Sequence, residues 1–213
     1  MGNGALDPVA AVVAALRDGR PVLLPTDGVY GLCSLPDAVP AAALYALKGR
    51  TAARPAALIA ASIEELFAGL PELAEGRSGA LVRALLPGPY TLVLANPAER
   101  YPWLTGGRPA PIGVRVARLP PATQRVLDEV GLVAASSANL SGGPTPAALE
   151  DVPARLRASC GGELDGGRLS GVASTVLDLS GPTPVVIRAG AGSVEDALAR
   201  VAAIVEPEGS TGA

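Results

Sequence analysis

The chain has 213 residues, of which 49 % are hydrophobic and 17 % charged, a balance that suits a folded core. Its net charge of −3 argues against a broad electrostatic surface for nucleic acid or an anionic membrane. There is no histidine, which removes imidazole bases, histidine metal ligands and a Ser-His-Asp triad together, and the two cysteines, Cys33 and Cys160, make neither a zinc site nor a disulfide framework.

In chain order, residues 6–17 have helical spacing, with Asp7 as N-cap, Pro8 at the first helical position and Gly19 as the stop. Residues 22–24 read as a short buried strand. Residues 39–47 are apolar at helical spacing and bring Lys48 and Arg50 to a helix C-terminus, where the dipole favours cations. Residues 56–60 form another apolar run, and Ser62-Ile63-Glu64-Glu65 is a capping-box start to the next helix. A helix over 78–86 stops at Pro87-Gly88-Pro89, and residues 90–94 and 112–116 read as strands. A helix over 121–130 ends at Gly131. A strand over 132–135 then runs into the Ser/Asn/Gly-rich segment 136–146. Thr145 is placed to cap a helix starting at Pro146. Residues 175–179 and 185–187 are strands, and Ser193 caps a last helix to Val205. Strands sometimes follow strands directly, so the pattern predicts one α/β domain with a mixed sheet over 1–205, and a disordered tail over 206–213. The longest apolar stretch near the start, residues 8–16, is too short to span a bilayer, and two unpaired thiols fit a reducing cytoplasm.

Several nucleotide and acyl-transfer motifs fail. The lysine is followed by Gly-Arg, so there is no P-loop, and Gly190-Ala191-Gly192 leads into Ser193, Val194 and Glu195, so a dinucleotide fingerprint is absent. Ser137-Ala138-Asn139 has the Ser-x-Asn form of penicillin-interacting enzymes, but no Ser-x-x-Lys accompanies it. Of the 17 basic residues, 16 are arginine and one is Lys48. A compact ammonium suits a phosphate oxygen, whereas arginine prefers planar bidentate partners. The competing reading of Lys48 and Arg50 is a pair of solvated helix-end cations.

Six segments in order carry a resemblance: Pro25-Thr26-Asp27-Gly28-Val29-Tyr30-Gly31-Leu32, Leu47-Lys48-Gly49-Arg50, Leu86-Pro87-Gly88-Pro89-Tyr90-Thr91-Leu92, Gly113-Val114-Arg115-Val116, Ser136-Ser137-Ala138-Asn139-Leu140-Ser141-Gly142, and Ser174-Thr175-Val176-Leu177-Asp178 leading to Ile187-Arg188-Ala189-Gly190. Together they resemble the YrdC-like threonylcarbamoyl-AMP synthase family, in its short, single-domain form. The resemblance implies a twisted mixed sheet with a large concave basic cleft. It implies a nucleotidyltransfer from L-threonine, bicarbonate and ATP, with Mg2+ on the triphosphate and no bound prosthetic group or protein metal site. The product would pass to tRNA threonylcarbamoyl transferase machinery, with contact to tRNA or double-stranded RNA across the basic face.

The resemblance also assigns residues. Lys48, Arg50, Ser137 and Asn139 form the catalytic centre. Arg50, Arg54, Pro111, Ser137, Thr145 and Arg188 match nucleotide contacts, with Lys48 and Asn139 completing the Lys-x-Arg and Ser-x-Asn pairs. Arg115, Ser174 and the backbone of Ala135, together with Thr26, Gly28 and Tyr30, fall on the threonine and bicarbonate side. Every ligand is an anion or carries a carboxylate, so electrostatic clamping can work without a side-chain nucleophile. As solvent-lined cleft cations, Lys48 and Arg50 are expected to add little to stability. Tyr30 divides between core packing and lining the cleft. Arg115 lies in an apolar strand and needs an anion or a carboxylate partner, for which Asp178 is one candidate. Two departures fall in the threonine pocket: Gly28 stands where the family has a second threonine, and Ile59 near where it has a histidine. They leave open a related adenylate-forming or carbamoyl-handling enzyme with another amine acceptor. A non-catalytic RNA-binding module is the third reading, weakened by the acidic balance and few aromatics.

Overall fold

A computed structural model describes residues 7–49, 56–105 and 110–205, and Arg50, Arg54 and the tail 206–213 lie outside the described residues. The first helix, α1 (Pro8–Arg17), is capped as its sequence dictates, the Asp7 carboxylate accepting from the Val9 N–H at 3.1 Å. Strands β1 (Val22–Pro25) and β2 (Tyr30–Ser34) form an antiparallel hairpin. Helix α2 (Ala38–Lys48) follows and ends at Gly49 in the left-handed region. Then come β3 (Ala57–Ala60), α3 (Ile63–Gly69), α4 (Gly76–Leu85), β4 (Tyr90–Leu94) and the short α5 (Pro102–Thr105). The chain continues through β5 (Ile112–Arg115), α6 (Pro121–Val130), β6 (Leu132–Ser137), α7 (Ala154–Ser159), β7 (Thr175–Asp178), β8 (Val185–Arg188) and α8 (Val194–Val205).

The strands make one eight-stranded mixed sheet in the order β1-β2-β6-β3-β5-β4-β7-β8. Two pairings are parallel, β3 with β5 and β4 with β7, and the rest are antiparallel.

Because side chains alternate across a strand, the registers sort every strand residue onto one of two faces. On the first face Leu23, Leu32, Leu58, Leu92, Val114, Ala134 and Leu177 join side chains of α2, α3, α4, α5, α7 and α8 in the main core. On the second face Val22, Leu24, Cys33, Ile59 and Val133 pack under α1 and α6 in a smaller core. That second cover stops at β3. Ala57, Gly113, Val93 and Val176 on the same face stay half-exposed although they lie in interior strands. The uncovered part of the second face is the cleft, floored by small and β-branched side chains.

Two local expectations differ from the structure. No helix starts at Pro146. The Pro146 carbonyl instead accepts from the Tyr30 N–H, and the Ala147 carbonyl from the Leu169 N–H, so this stretch is stitched into its neighbours in an extended form. Thr145 is therefore a loop residue and not a cap. The strand β2 was not foreseen at all, and it sits between β1 and β6 with every residue buried.

Candidate functional site

The hairpin turn between β1 and β2 is fixed by Thr26, which is buried and whose hydroxyl donates to the Val29 carbonyl at 2.6 Å. Next to it, Asp27 reaches over the second face and binds Arg115 at the end of β5. Both carboxylate oxygens meet Nη2, at 2.6 and 2.8 Å. This is the carboxylate that burial of Arg115 requires, and it replaces Asp178, whose carboxylate is occupied by the Ser180 N–H and hydroxyl. The pair is incomplete: Arg115 Nε is buried and has no hydrogen-bond partner among the described residues. A buried guanidinium N–H without an acceptor is costly.

Arg115 has polar neighbours on the same face. Thr91 follows from the Leu92–Val114 pairing as its neighbour across β4 and β5, and the Thr91 and Ser174 hydroxyls are 2.8 Å apart. Arg188 on β8 lies in register with Val176, and its Nη2 donates to the Ser174 carbonyl at 2.8 Å. Burial, and then the charge of Arg115, hold the Arg188 guanidinium below its ordinary pKa. Two guanidiniums that repel one another thus lie here, Arg115 paired with Asp27 and Arg188 bonded to Ser174.

The Ser-x-Asn loop leaves the end of β6. Ser137 donates to Asn139 Oδ1 at 2.6 Å, and Asn139 Nδ2 donates to the Gly143 carbonyl at 2.6 Å. Lys48 reaches this loop from α2, on the opposite side of the sheet. Its ammonium donates to Ser136 Oγ at 3.0 Å, to Asn139 Oδ1 at 3.2 Å and to the Ser137 carbonyl. At 2 % exposure it is no solvent-lined cleft cation, and the expectation of a small stability contribution is corrected accordingly.

The other sequence candidates distribute as follows. Ser174 is buried beside Thr91, and Ala135 is nearly buried on the second face opposite Ala57. Pro111 is exposed just before β5, and Thr145 is half-buried in the loop. Tyr30 is fully buried on the first face; its hydroxyl donates toward Asp165 and the Gly167 carbonyl and accepts from the Gly166 N–H. Its role in this structure is therefore core packing and loop anchoring, not lining the cleft. Ile59 lies in register with Arg115 but packs into the smaller core under α6. Asp27 and Thr91 were not singled out from sequence. The signal for Thr91 was available: it is the one polar residue in the run Tyr-Thr-Leu-Val-Leu, at a position whose parity puts it on the second face.

The structure is thus an α/β domain whose sheet carries two arginines on a half-covered face and a Ser-x-Asn loop at the end of β6. The comparisons make the assignment specific. A family profile spanning Sua5, YciO and YrdC proteins, described as telomere recombination, matches residues 14–190. A Mycobacterium tuberculosis protein provisionally designated threonylcarbamoyl-AMP synthase is 35 % identical over 192 residues, covering 88 % of this chain and 86 % of that one. Threonylcarbamoyl-AMP synthase of Bacillus subtilis is 36 % identical over 196 residues, covering 86 % of this chain and 54 % of that one, so the chain spans about half of this longer relative. Pyrococcus abyssi Sua5 complexed with L-threonine superposes with a TM-score of 0.79 at 30 % identity, covering 92 % of this chain and 57 % of that one. E. coli YciO gives a TM-score of 0.76 at 25 % identity, covering 88 % and 91 %. The chain belongs to the Sua5/YciO/YrdC family of threonylcarbamoyl-AMP synthase homologues.

Proposed function

We propose that this protein is a threonylcarbamoyl-AMP synthase, converting L-threonine, bicarbonate and ATP to threonylcarbamoyl-adenylate, pyrophosphate and water. The observation that carries the reading is the buried Arg115, held by Asp27 and left with an Nε that has no partner among the described residues.

The amine attacks the carbon of bicarbonate, water leaves, and an oxygen of the resulting carbamate attacks the α-phosphorus of ATP with loss of pyrophosphate. Each step brings anions together, so the protein's task is to neutralise and orient them. Arg115 takes the amino-acid carboxylate, with the Ser174 and Thr91 hydroxyls beside it. Arg188 faces the phosphates. Ser137 and Asn139, with Thr145 and the Pro111 carbonyl, hold the nucleotide, and Arg50 and Arg54 complete the clamp. Among the described residues, no group of three Cys, Asp or Glu side chains could hold a metal ion. Magnesium fits instead as the counter-ion of the triphosphate, held by phosphate oxygens and water.

The product would be consumed by tRNA threonylcarbamoyl transfer machinery in the cytoplasm. No helix among the described residues is long and apolar enough to cross a membrane. The test is pyrophosphate release measured with each substrate omitted in turn. Release that requires ATP, bicarbonate and threonine together is the expected result; no release at high enzyme concentration refutes the proposal. A different amine acceptor is the second reading, motivated by Gly28 and Ile59. An amino-acid panel in the same assay separates the two.

A further inference from the structure

Thr91 is buried on the second face of β4, where the Leu92–Val114 pairing makes Arg115 its neighbour on β5. Its methyl lies toward Gly113 on β5, where a Cβ would meet it at 3.8 Å, and its hydroxyl turns the other way, to Ser174 just before β7. That contact, at 2.8 Å, is the one hydrogen bond of the Thr91 hydroxyl among the described residues. Ser174 is also buried and is held from its other side by Arg188. Nη2 and Nε donate to the Ser174 carbonyl at 2.8 and 3.1 Å, and Nη2 makes a longer contact to Oγ at 3.4 Å. A hydroxyl carries one proton and two lone pairs, so two hydroxyls facing each other use only one of their two protons between them. Among the described residues no carbonyl or carboxylate accepts the other proton. A buried O–H without an acceptor is costly. The two protons are not equivalent. The Arg188 cation touches the Ser174 oxygen and not that of Thr91, and a hydroxyl that accepts from a cation becomes the stronger donor. The stronger donor suits the stronger acceptor, an anion, and Thr91 is then left to donate to Ser174.

We propose that Thr91 is a positioning residue for the amino-acid substrate: it donates to Ser174 Oγ, fills the lone pair that Arg188 leaves, and so commits the Ser174 proton to the substrate carboxylate. The proposal rests on the synthase reading above, which puts Ser174 on the amino-acid side. In this arrangement Ser174 Oγ accepts twice and donates once, which is its full capacity. Thr91 acts through Ser174 and does not touch the substrate. Without the Thr91 oxygen the Ser174 hydroxyl keeps a lone pair buried and unfilled and is free to rotate, so the carboxylate meets a donor that is no longer oriented for it. What the position needs is therefore the oxygen of threonine and not its branched shape.

The experiment measures kcat and the KM values for ATP and for the amino acid that the wild type turns over best, expected to be threonine. The proteins compared are wild type, Thr91→Val, Thr91→Ser, Ser174→Ala, and Thr91→Val combined with Ser174→Ala. Thr91→Val keeps the shape and removes the donor, so the amino-acid KM should rise about tenfold, the loss of one hydrogen bond, with kcat and the ATP KM within about twofold. Thr91→Ser keeps the donor and should leave all three within about twofold of wild type. A packing role predicts the reverse order, because valine suits a strand interior and serine leaves a gap. In the Ser174→Ala background Thr91→Val should add nothing, because the group it acts through is gone. An unchanged amino-acid KM in Thr91→Val overturns the proposal, and so does an additive rise in the double variant, which would put Thr91 on the substrate directly. Should Thr91→Val not fold, Thr91→Ser and Thr91→Ala, which differ by one oxygen, replace it, and equal amino-acid KM values in those two overturn the proposal. A wild type that turns over no amino acid refutes the synthase reading and the proposal with it, which sets that failure apart from an active enzyme indifferent to the Thr91 oxygen.

Discussion

Lys48 shows how a residue's identity and its position carry separate information. Its scarcity and its Gly-Arg sequel mark it in the sequence, and its place in the helix is also written in the spacing. Ala41, Leu44 and Tyr45 are buried in α2, and residue 48 continues the same i, i+3, i+4, i+7 stripe, so the ammonium had to arrive on the core side. There it gathers three oxygens of the β6 end and the following loop. Lys48→Met keeps an unbranched side chain one atom shorter and removes the donor, taking a hydrogen bond from each of its buried acceptors. The expected cost is about 1–3 kcal/mol, read as a lower urea midpoint, together with loss of turnover through a disordered Ser137–Asn139 loop. An unchanged midpoint with turnover abolished would make Lys48 a direct phosphate ligand instead. The partner of Arg115 was less legible. The need for a carboxylate followed from burial, but Asp27 lies 88 residues away and only the curl of the β1–β2 turn over the second face brings it there.

At the level of elements, the legible ones were those with local punctuation. α6, with prolines before it and Gly131 after it, is found where its sequence puts it, and β4 matches residue for residue. β2 escaped because all five of its residues are buried, so it shows no alternation, and glycine and cysteine are not strand signals. The expected helix at Pro146 failed for the opposite reason: its local signals were sound, but backbone pairing to Tyr30 and Leu169 outweighed them. The Ser62 signal held in part, since the Ser62 hydroxyl accepts from the Glu65 N–H at 3.2 Å at the start of α3. α3 buries only Leu66 and stands on the face away from the cleft. Ser62→Ala should therefore lower stability by about 1 kcal/mol, by denaturant titration, and leave kcat and both KM values unaltered. A change in KM would mean that α3 communicates with the cleft.

For the whole molecule, the deciding feature is that the second face is covered only as far as β3. The small core under α1 and α6 holds the β1–β2 hairpin in place, and the hairpin turn in turn holds Arg115. Cys33 sits at the centre of that core and reports on its integrity. Burial pushes its thiol from an ordinary 9.0 up to about 12, so it stays protonated and inert in the folded protein. Because the folded pKa is raised, the native state binds more protons than the unfolded chain between those values. The contribution is fully present below pH 9 and is lost as the pH rises toward 12. Between pH 8 and 10.5 this one group should remove at most about 2 kcal/mol of stability. Cys160, Tyr30, Tyr90 and Tyr101 also titrate late, through burial, but they are common to wild type and Cys33→Ala and cancel in the comparison. Cys33→Ala is expected to be less stable than wild type at pH 8, from lost packing, yet to lose less between pH 8 and 10.5. Equal losses in the two proteins would mean that the thiolate forms without unfolding, and that α1 and α6 open from the hairpin on their own.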